Sequence, residues 1–265
     1  MKLSLSCLHK LASSCLLAAA LATPAAAHHG TMFGPPEGVT ETIQVTTELV
    51  MLIDSSGSID DEEYQLQREG YVLAFRDSEV QDLIERQDGV AVWAYDFSAV
   101  DQTALLAHRI LKTAADCDAF ADELEAPERQ FASGTVIAMP LLKAAVMLTT
   151  NHIESKRTVI DISGDGVCEF TRKRRMRKFY KHRTDLPKSL AEIRDSLPDS
   201  ITVNAIAIGT PLKRDNHSLA EWYKANLPHG RDAFSLYSNG FVAFRQGIKH
   251  KILLELEAPL TPLFD

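Results

Sequence analysis

The sequence predicts an α/β fold: a doubly wound, mostly parallel sheet with helices on both faces and one antiparallel edge strand. Three observations predict it. Short apolar runs at residues 48–53, 90–95 and 158–162 read as buried strands, and with a further strand at 201–208 they alternate with helical segments over about 210 residues. Two of these runs stop abruptly in turns rich in Asp, Ser and Gly, as strands do when ligands bind at their carboxyl ends. The segments at 90–95 and 103–110 are joined by a connection too short for a parallel crossover, so they pair antiparallel at an edge.

The elements follow in order. The first strand ends in Asp54-Ser55-Ser56-Gly57-Ser58, and the acidic Asp60–Glu63 suits the first turn of a helix over residues 60–76. That helix places Tyr64, Tyr71, Val72 and Phe75 on one face. The run at 90–95 ends in Asp96-Phe97-Ser98, and the edge strand leads to a small helix at 116–124. A loop over Arg129–Thr135 precedes an apolar helix at 136–148, and the strand at 158–162 ends in Ser163-Gly164-Asp165-Gly166. A helix at 186–197, a strand at 201–208, a helix at 219–226 and a short strand at 233–237 come next. The final helix, 240–256, aligns Phe241, Phe244, Ile248, Ile252 and Leu256. No internal repeat is evident.

The first 27 residues read as a signal peptide: a basic start, an apolar run from Leu11 to Ala22 and the small residues Ala25-Ala26-Ala27. The expected mature protein begins near His28 and is exported, periplasmic or secreted, with no membrane span and no lipid anchor on Cys15. Residues 28–46 read as a flexible leader, 47–257 as the folded domain and 258–265 as a tail. His28 and His29 are taken as tail residues rather than a copper site. Residues 1–27 hold two lysines and no acid, so the remainder carries 26 basic against 36 acidic side chains, a formal −10 that disfavours nucleic acid as a partner. Against that balance, residues 170–183 carry eight Lys or Arg. The stretch Arg172 to Arg183 is read as a solvated loop or as a docking surface for an acidic partner. Cys117 and Cys168 are expected to stay unbonded, because the antiparallel strand carries Cys117 to the opposite edge of the sheet from Asp165 and Cys168.

Chemistry concentrates at the strand ends. Asp54, Ser56 and Ser58 alternate, so their side chains share one side of a turn that Gly57 allows to bend tightly. One carboxylate with two hydroxyls is a hard-oxygen set suited to Mg2+ or Mn2+ rather than to zinc or copper. Such a pentapeptide by itself more often caps a helix, and so does Gly134-Thr135. Were the strands ending at Asp54 and Asp165 neighbours, however, Asp54, Thr135 and Asp165 would meet in one crevice. Enzyme signatures are missing. There is no Gly-x-Ser-x-Gly around Ser56 or Ser163, no phosphate loop ending in Lys-Ser or Lys-Thr, and no His-Glu-x-x-His. A phosphotransferase of the haloacid-dehalogenase type needs a second aspartate where Ser56 stands. Asp96 and Asp161 are read as members of a structural network rather than as catalysts.

DSSGS at 54–58, SGT at 133–135 and SGDG at 163–166 together resemble the metal-ion-dependent adhesion site of von Willebrand factor A-like domains. EYQLQREGYVLAFRD at 63–77 and VIDISGDG at 159–166 are similar to an exported bacterial branch of that family known mainly as a domain of unknown function. The resemblance covers residues 47–257 and departs from the pattern in the basic run after Cys168. It implies that Ser56, Ser58 and Thr135 ligate a divalent cation, with Asp54 and Asp165 acting directly or through water. One coordination position is then left for an Asp or Glu of a protein partner. The implied function is an exported, metal-dependent adhesion or scaffold module; a metal-dependent hydrolase using the same residues is the alternative. The resemblance also implies that the last helix can shift with the ion's coordination, altering the packing of Phe241, Phe244 and Ile248.

Overall fold

The computed structural model describes residues 42–167, 189–209 and 216–257, with the side chains of 216–218 excepted. Cys168 and the basic run Arg172 to Arg183 lie outside the described residues, as do the stretch read as a signal peptide, most of the stretch read as a leader and residues 258–265. Among the described residues six strands form one sheet: β1 (Ile43–Asp54), β2 (Val90–Phe97), β3 (Thr103–Leu111), β4 (Ile153–Gly164), β5 (Ile201–Ile208) and β6 (Ser235–Ser238). Their spatial order is β3-β2-β1-β4-β5-β6. All neighbours pair parallel except β2 and β3, which pair antiparallel with a bulge at Ala94/Tyr95. The mostly parallel sheet with one antiparallel edge is therefore as the sequence predicts.

Among the described residues there are seven helices: α1 (Asp61–Phe75), α2 (Ser78–Glu85), α3 (Ala114–Glu125), α4 (Ala138–Thr150), α5 (Leu190–Arg194), α6 (Asn216–Asn226) and α7 (Phe241–Leu256). They cover both faces of the sheet. Towards the end of β1, Leu49, Met51 and Ile53 pack with α1, α2, α3 and α7, and the alternating Val50 and Leu52 pack with α4, α5 and α6. Strand periodicity dictates this division, since successive side chains point to opposite faces. On the first face Tyr71 meets Phe244 edge-on at 5.5 Å and Phe75 meets Phe120 at 4.8 Å, joining α1 to α7 and to α3. The apolar face expected for the last helix is buried along its whole length.

Several boundaries differ from the sequence reading. β1 starts at Ile43, inside the stretch expected as leader, and β4 at Ile153 rather than 158. These added halves, IQVTT and IESKR, alternate in exposure instead of being buried throughout, so they lack the continuous apolar run that marks the strand centres. Helix α2 was not expected; only Val80 and Ile84 of its eight residues are buried, too few to give a period. Helix α5 ends at Arg194, short of the expected 197. Cys117 is a buried free thiol on α3.

A charged cluster lies inside the first layer. Lys251 of α7 donates to Asp161 of β4 and to Glu255 one turn on, and all three side chains are fully buried. Tyr71 of α1 also donates to Asp161, at 3.3 Å. Burial works against the Lys251 charge, but its two carboxylates outweigh it and raise its pKa; burial and the charge of Asp161 push the Glu255 carboxyl up as well. Asp161 is thus part of a structural network, in line with the sequence reading. Removing the ammonium leaves buried carboxylates without a counter-charge. We expect Lys251→Met to lose about 3–5 kcal/mol of stability by urea unfolding, and a loss below roughly 1 kcal/mol would contradict this assignment.

Candidate functional site

β1 and β4 lie side by side in register, Ile53 opposite Ser163. From β1 the chain proceeds outward through β2 to β3, then returns to β4 on the other side, so the carboxyl ends of β1 and β4 flank the topological switch point where open α/β sheets bind ligands. Asp54 ends β1, and Asp165 follows β4 directly.

All five residues singled out in the sequence meet there. Thr135 Oγ1 donates to Ser56 Oγ at 3.0 Å, the hydroxyls of Ser56 and Ser58 share a hydrogen bond at 3.1 Å, and Ser58 Oγ donates to Asp165 Oδ1 at 2.6 Å. Asp54 Oδ1 accepts from the Ser56 amide at 2.8 Å. Asp54, Ser56, Thr135 and Asp165 are buried, whereas Gly57 and Ser58 are exposed, so the cluster opens to solvent at that turn.

Helix capping does not account for these residues. The cap of α1 is Asp60, whose side chain accepts from the Glu63 amide while Glu63 accepts from the Asp60 amide. Helix α4 begins after Ile137 with no side-chain cap, and Thr135 instead reaches across to Ser56.

Close approach explains the glycines. A Cβ at position 164 would stand 2.6 Å from Asp54 Oδ2 and 2.9 Å from the Tyr223 hydroxyl; one at 166 would stand 2.9 Å from Thr135 Oγ1. Only glycine at both positions lets the carboxylate and the threonine sit against the β4 turn. The dimensions fit a small hard cation. Oxygen ligands at 2.0–2.1 Å from an octahedral ion stand about 3 Å apart along each edge, and the Ser56 hydroxyl already has that spacing to those of Ser58 and Thr135.

Three supporting residues were not foreseen. Ser98, at the end of β2, accepts from the Ser133 amide at 2.9 Å, donates to Gly134 O at 3.1 Å, and takes the Val136 amide on its carbonyl. Tyr223 of α6 donates to Gly166 O at 3.1 Å. Arg129 donates to the carbonyls of Ser55, Ser56 and Ile59. Each contact joins segments far apart in sequence, so no local signal marks it.

Behind the site, Arg68 donates to Tyr64 Oη at 2.6 Å and Tyr64 donates to Asp96 at 2.5 Å. Asp96 is fully buried in this network.

The order of the sheet is that of a von Willebrand factor A-like fold. Similar solved structures include a mutant of the minor pilin PilB from Streptococcus sanguinis (TM-score 0.55, 12% identity, 83% of this chain and 64% of that one). The pilus adhesin SpaC from Lactobacillus rhamnosus GG follows (0.53, 12%, 84% and 31%), with a von Willebrand factor type A protein from Catenulispora acidiphila (0.52, 14%, 80% and 43%). The chain belongs to the family described as protein of unknown function DUF1194, whose model matches residues 44–260. It spans less than two thirds of each of those three structures, and at such identities the likeness concerns the fold alone. No curated protein matches it.

Burial raises the Asp96 carboxyl from 3.8 to about 6, against the lowering effects of the Tyr64 hydrogen bond and the charges of Arg68 and Arg129. A folded-state pKa above the unfolded one means a contribution to stability that is complete below about pH 4 and lost as the pH rises through about 6. Asp96→Asn has no such loss. Its stability relative to wild type should therefore rise between pH 4 and pH 7, by at most roughly 3 kcal/mol; parallel pH profiles in EDTA would contradict the assignment.

Proposed function

We propose that this protein is an exported, metal-dependent protein-binding module. One observation carries the reading: three hydroxyls and two carboxylates from three separate loops are gathered at the switch point, linked at 2.6–3.1 Å. Ser56, Ser58 and Thr135 hold Mg2+ or Mn2+ by their hydroxyls, and Asp54 and Asp165 do so directly or through water. Bound there, the ion supplies a Lewis-acidic position that neutral ligands leave underneutralised, and an Asp or Glu of the partner completes it. The open turn at Gly57 and Ser58 gives that side chain access. The folded unit begins with β1 and spans residues 43–257, with residues 1–27 removed as a signal peptide.

Two further points support binding over hydrolysis. The other carboxylates near the strand ends are engaged elsewhere, Asp161 with Lys251 and Tyr71 and Asp96 with Tyr64. Two of the similar structures are a pilus adhesin and a minor pilin. No helix among the described residues is long and apolar enough to cross a membrane.

The test is calorimetry with the mature chain. Wild type should take up about one Mn2+ per chain, and Asp54→Ala combined with Asp165→Ala should weaken uptake at least tenfold. Immobilised protein should retain envelope proteins in Mg2+ and release them in EDTA. Equal Mn2+ uptake by wild type and the double variant would overturn the site. Metal-dependent phosphoester hydrolysis lost in Asp54→Ala would favour the hydrolase instead.

A further inference from the structure

Arg129 sits at the head of the loop that leads to Thr135. Its Nη2 donates to three carbonyls of the neighbouring loop, Ser55 O at 3.1 Å, Ser56 O at 2.8 Å and Ile59 O at 2.8 Å. Its Nε donates to Phe131 O at 3.0 Å within its own loop, and Nη1 to Asp61 at the start of α1 at 2.9 Å. The guanidinium also lies 5.1 Å over the ring of Tyr64, which Asp96 of β2 fixes from below. With a side chain only 12% exposed, this is no solvated surface arginine.

We propose that Arg129 is a positioning residue for the cation site, a clamp that holds the loop of Ser56 and Ser58 in register with the loop of Thr135. The proposal rests on the metal reading above. The loop between Asp54 and Asp60 must present hydroxyls to the ion, and its carbonyls then need a donor elsewhere. One guanidinium takes three of them, so the backbone of that loop is pinned through its carbonyls. The same group is bonded to Phe131 O, four residues before Thr135. The direct backbone link between the loops is Gly57 N to Ser133 O at 2.6 Å, and Arg129 braces both sides of it. A planar fork of five donors can serve acceptors in several directions at once; a lysine ammonium at the end of a flexible stem cannot. The fork is therefore what the geometry requires, and charge alone does not suffice.

An open cleft of about 460 Å3, lined by Tyr64, Gln65, Gln130 and Phe131 among others, adjoins the guanidinium. It offers small cations a route to the vacated position once the side chain is shortened. This permits a test that separates positioning from general stability. Mn2+ binding to the mature chain is followed by the electron paramagnetic resonance signal of the free ion, and thermal unfolding is measured in EDTA. Wild type binds. Arg129→Ala and Arg129→Lys should both bind at least tenfold more weakly, as supporting contacts to a metal site do when removed. Millimolar ethylguanidinium should restore Arg129→Ala toward wild type while leaving Asp54→Ala unchanged. Hydrogen exchange in EDTA should rise in residues 55–59 and 131–135 of the arginine variants and stay unchanged in β5 and α6. Wild-type affinity in both arginine variants overturns the clamp alone, and so does a loss that ethylguanidinium fails to relieve in a folded Arg129→Ala. Should Arg129→Ala not fold, Arg129→Lys decides by its affinity. A wild type that takes up no Mn2+ overturns the metal reading, and the clamp with it.

Discussion

Parallel pairing of β1 with β4 is the constraint on which the remaining architecture depends. Ten residues of β1 align with β4, from Ile43 opposite Ile153 to Ile53 opposite Ser163, and this register delivers Asp54 and the Ser163–Gly166 turn to the same height at the sheet's edge. A slip of one residue would turn Asp54 toward the opposite face. The register also sets how close the two turns come. Gly164 leaves room for Asp54 where any larger residue would not, and Tyr223, from the far helical layer, secures the turn through Gly166 O. Thr135 is brought in by the end of β2, where Ser98 binds Ser133, Gly134 and Val136 on either side of it. The site is therefore a product of three adjacent strands ending at one level, with glycine where Asp54 and Thr135 press against the β4 turn.

Polar groups beneath the site extend this order into the core. Asp96, Tyr64 and Arg68 link β2 to α1, while Asp161, Tyr71, Lys251 and Glu255 link β4 to α1 and α7. Gln67 of α1 donates to Ser163 at 3.0 Å, between the two networks and next to the Gly164 turn. Apolar packing alone would hold α1 and α7 on the sheet, but it is non-directional. Hydrogen bonds and ion pairs between named partners fix the helices along and around their axes. The same bonds connect α7 to the strand that ends at the site.

What the sequence made legible, and what it did not, follows from the range of each interaction. Strand centres were evident because two covering helical layers demand an unbroken apolar run, as in Leu49–Ile53 and Val90–Tyr95. The half-covered beginnings of β1 and β4 were not, since IQVTT and IESKR lack such a run. Among the site residues, Asp54, Ser56, Ser58, Thr135 and Asp165 stood out because their residue types and turn glycines are local and fit one chemistry. Arg129, Ser98 and Tyr223 did not, because they bind backbone oxygens and amides 35 to 74 residues away, where side-chain pattern carries no information. The pairing of Lys251 with Asp161 and Glu255 was hidden in the same way: the final helix was read by its apolar face, and the buried charges lie among those apolar residues.

The claim that matters most is that these three turns form one cradle for a divalent cation. Diffraction from crystals grown with Mn2+, with data collected at the manganese absorption edge, tests it most directly. The account predicts one strong anomalous peak at the switch point, about 2.2 Å from the hydroxyls of Ser56, Ser58 and Thr135. Clear density for those side chains with no anomalous peak among them, or a peak held by other residues, would contradict it.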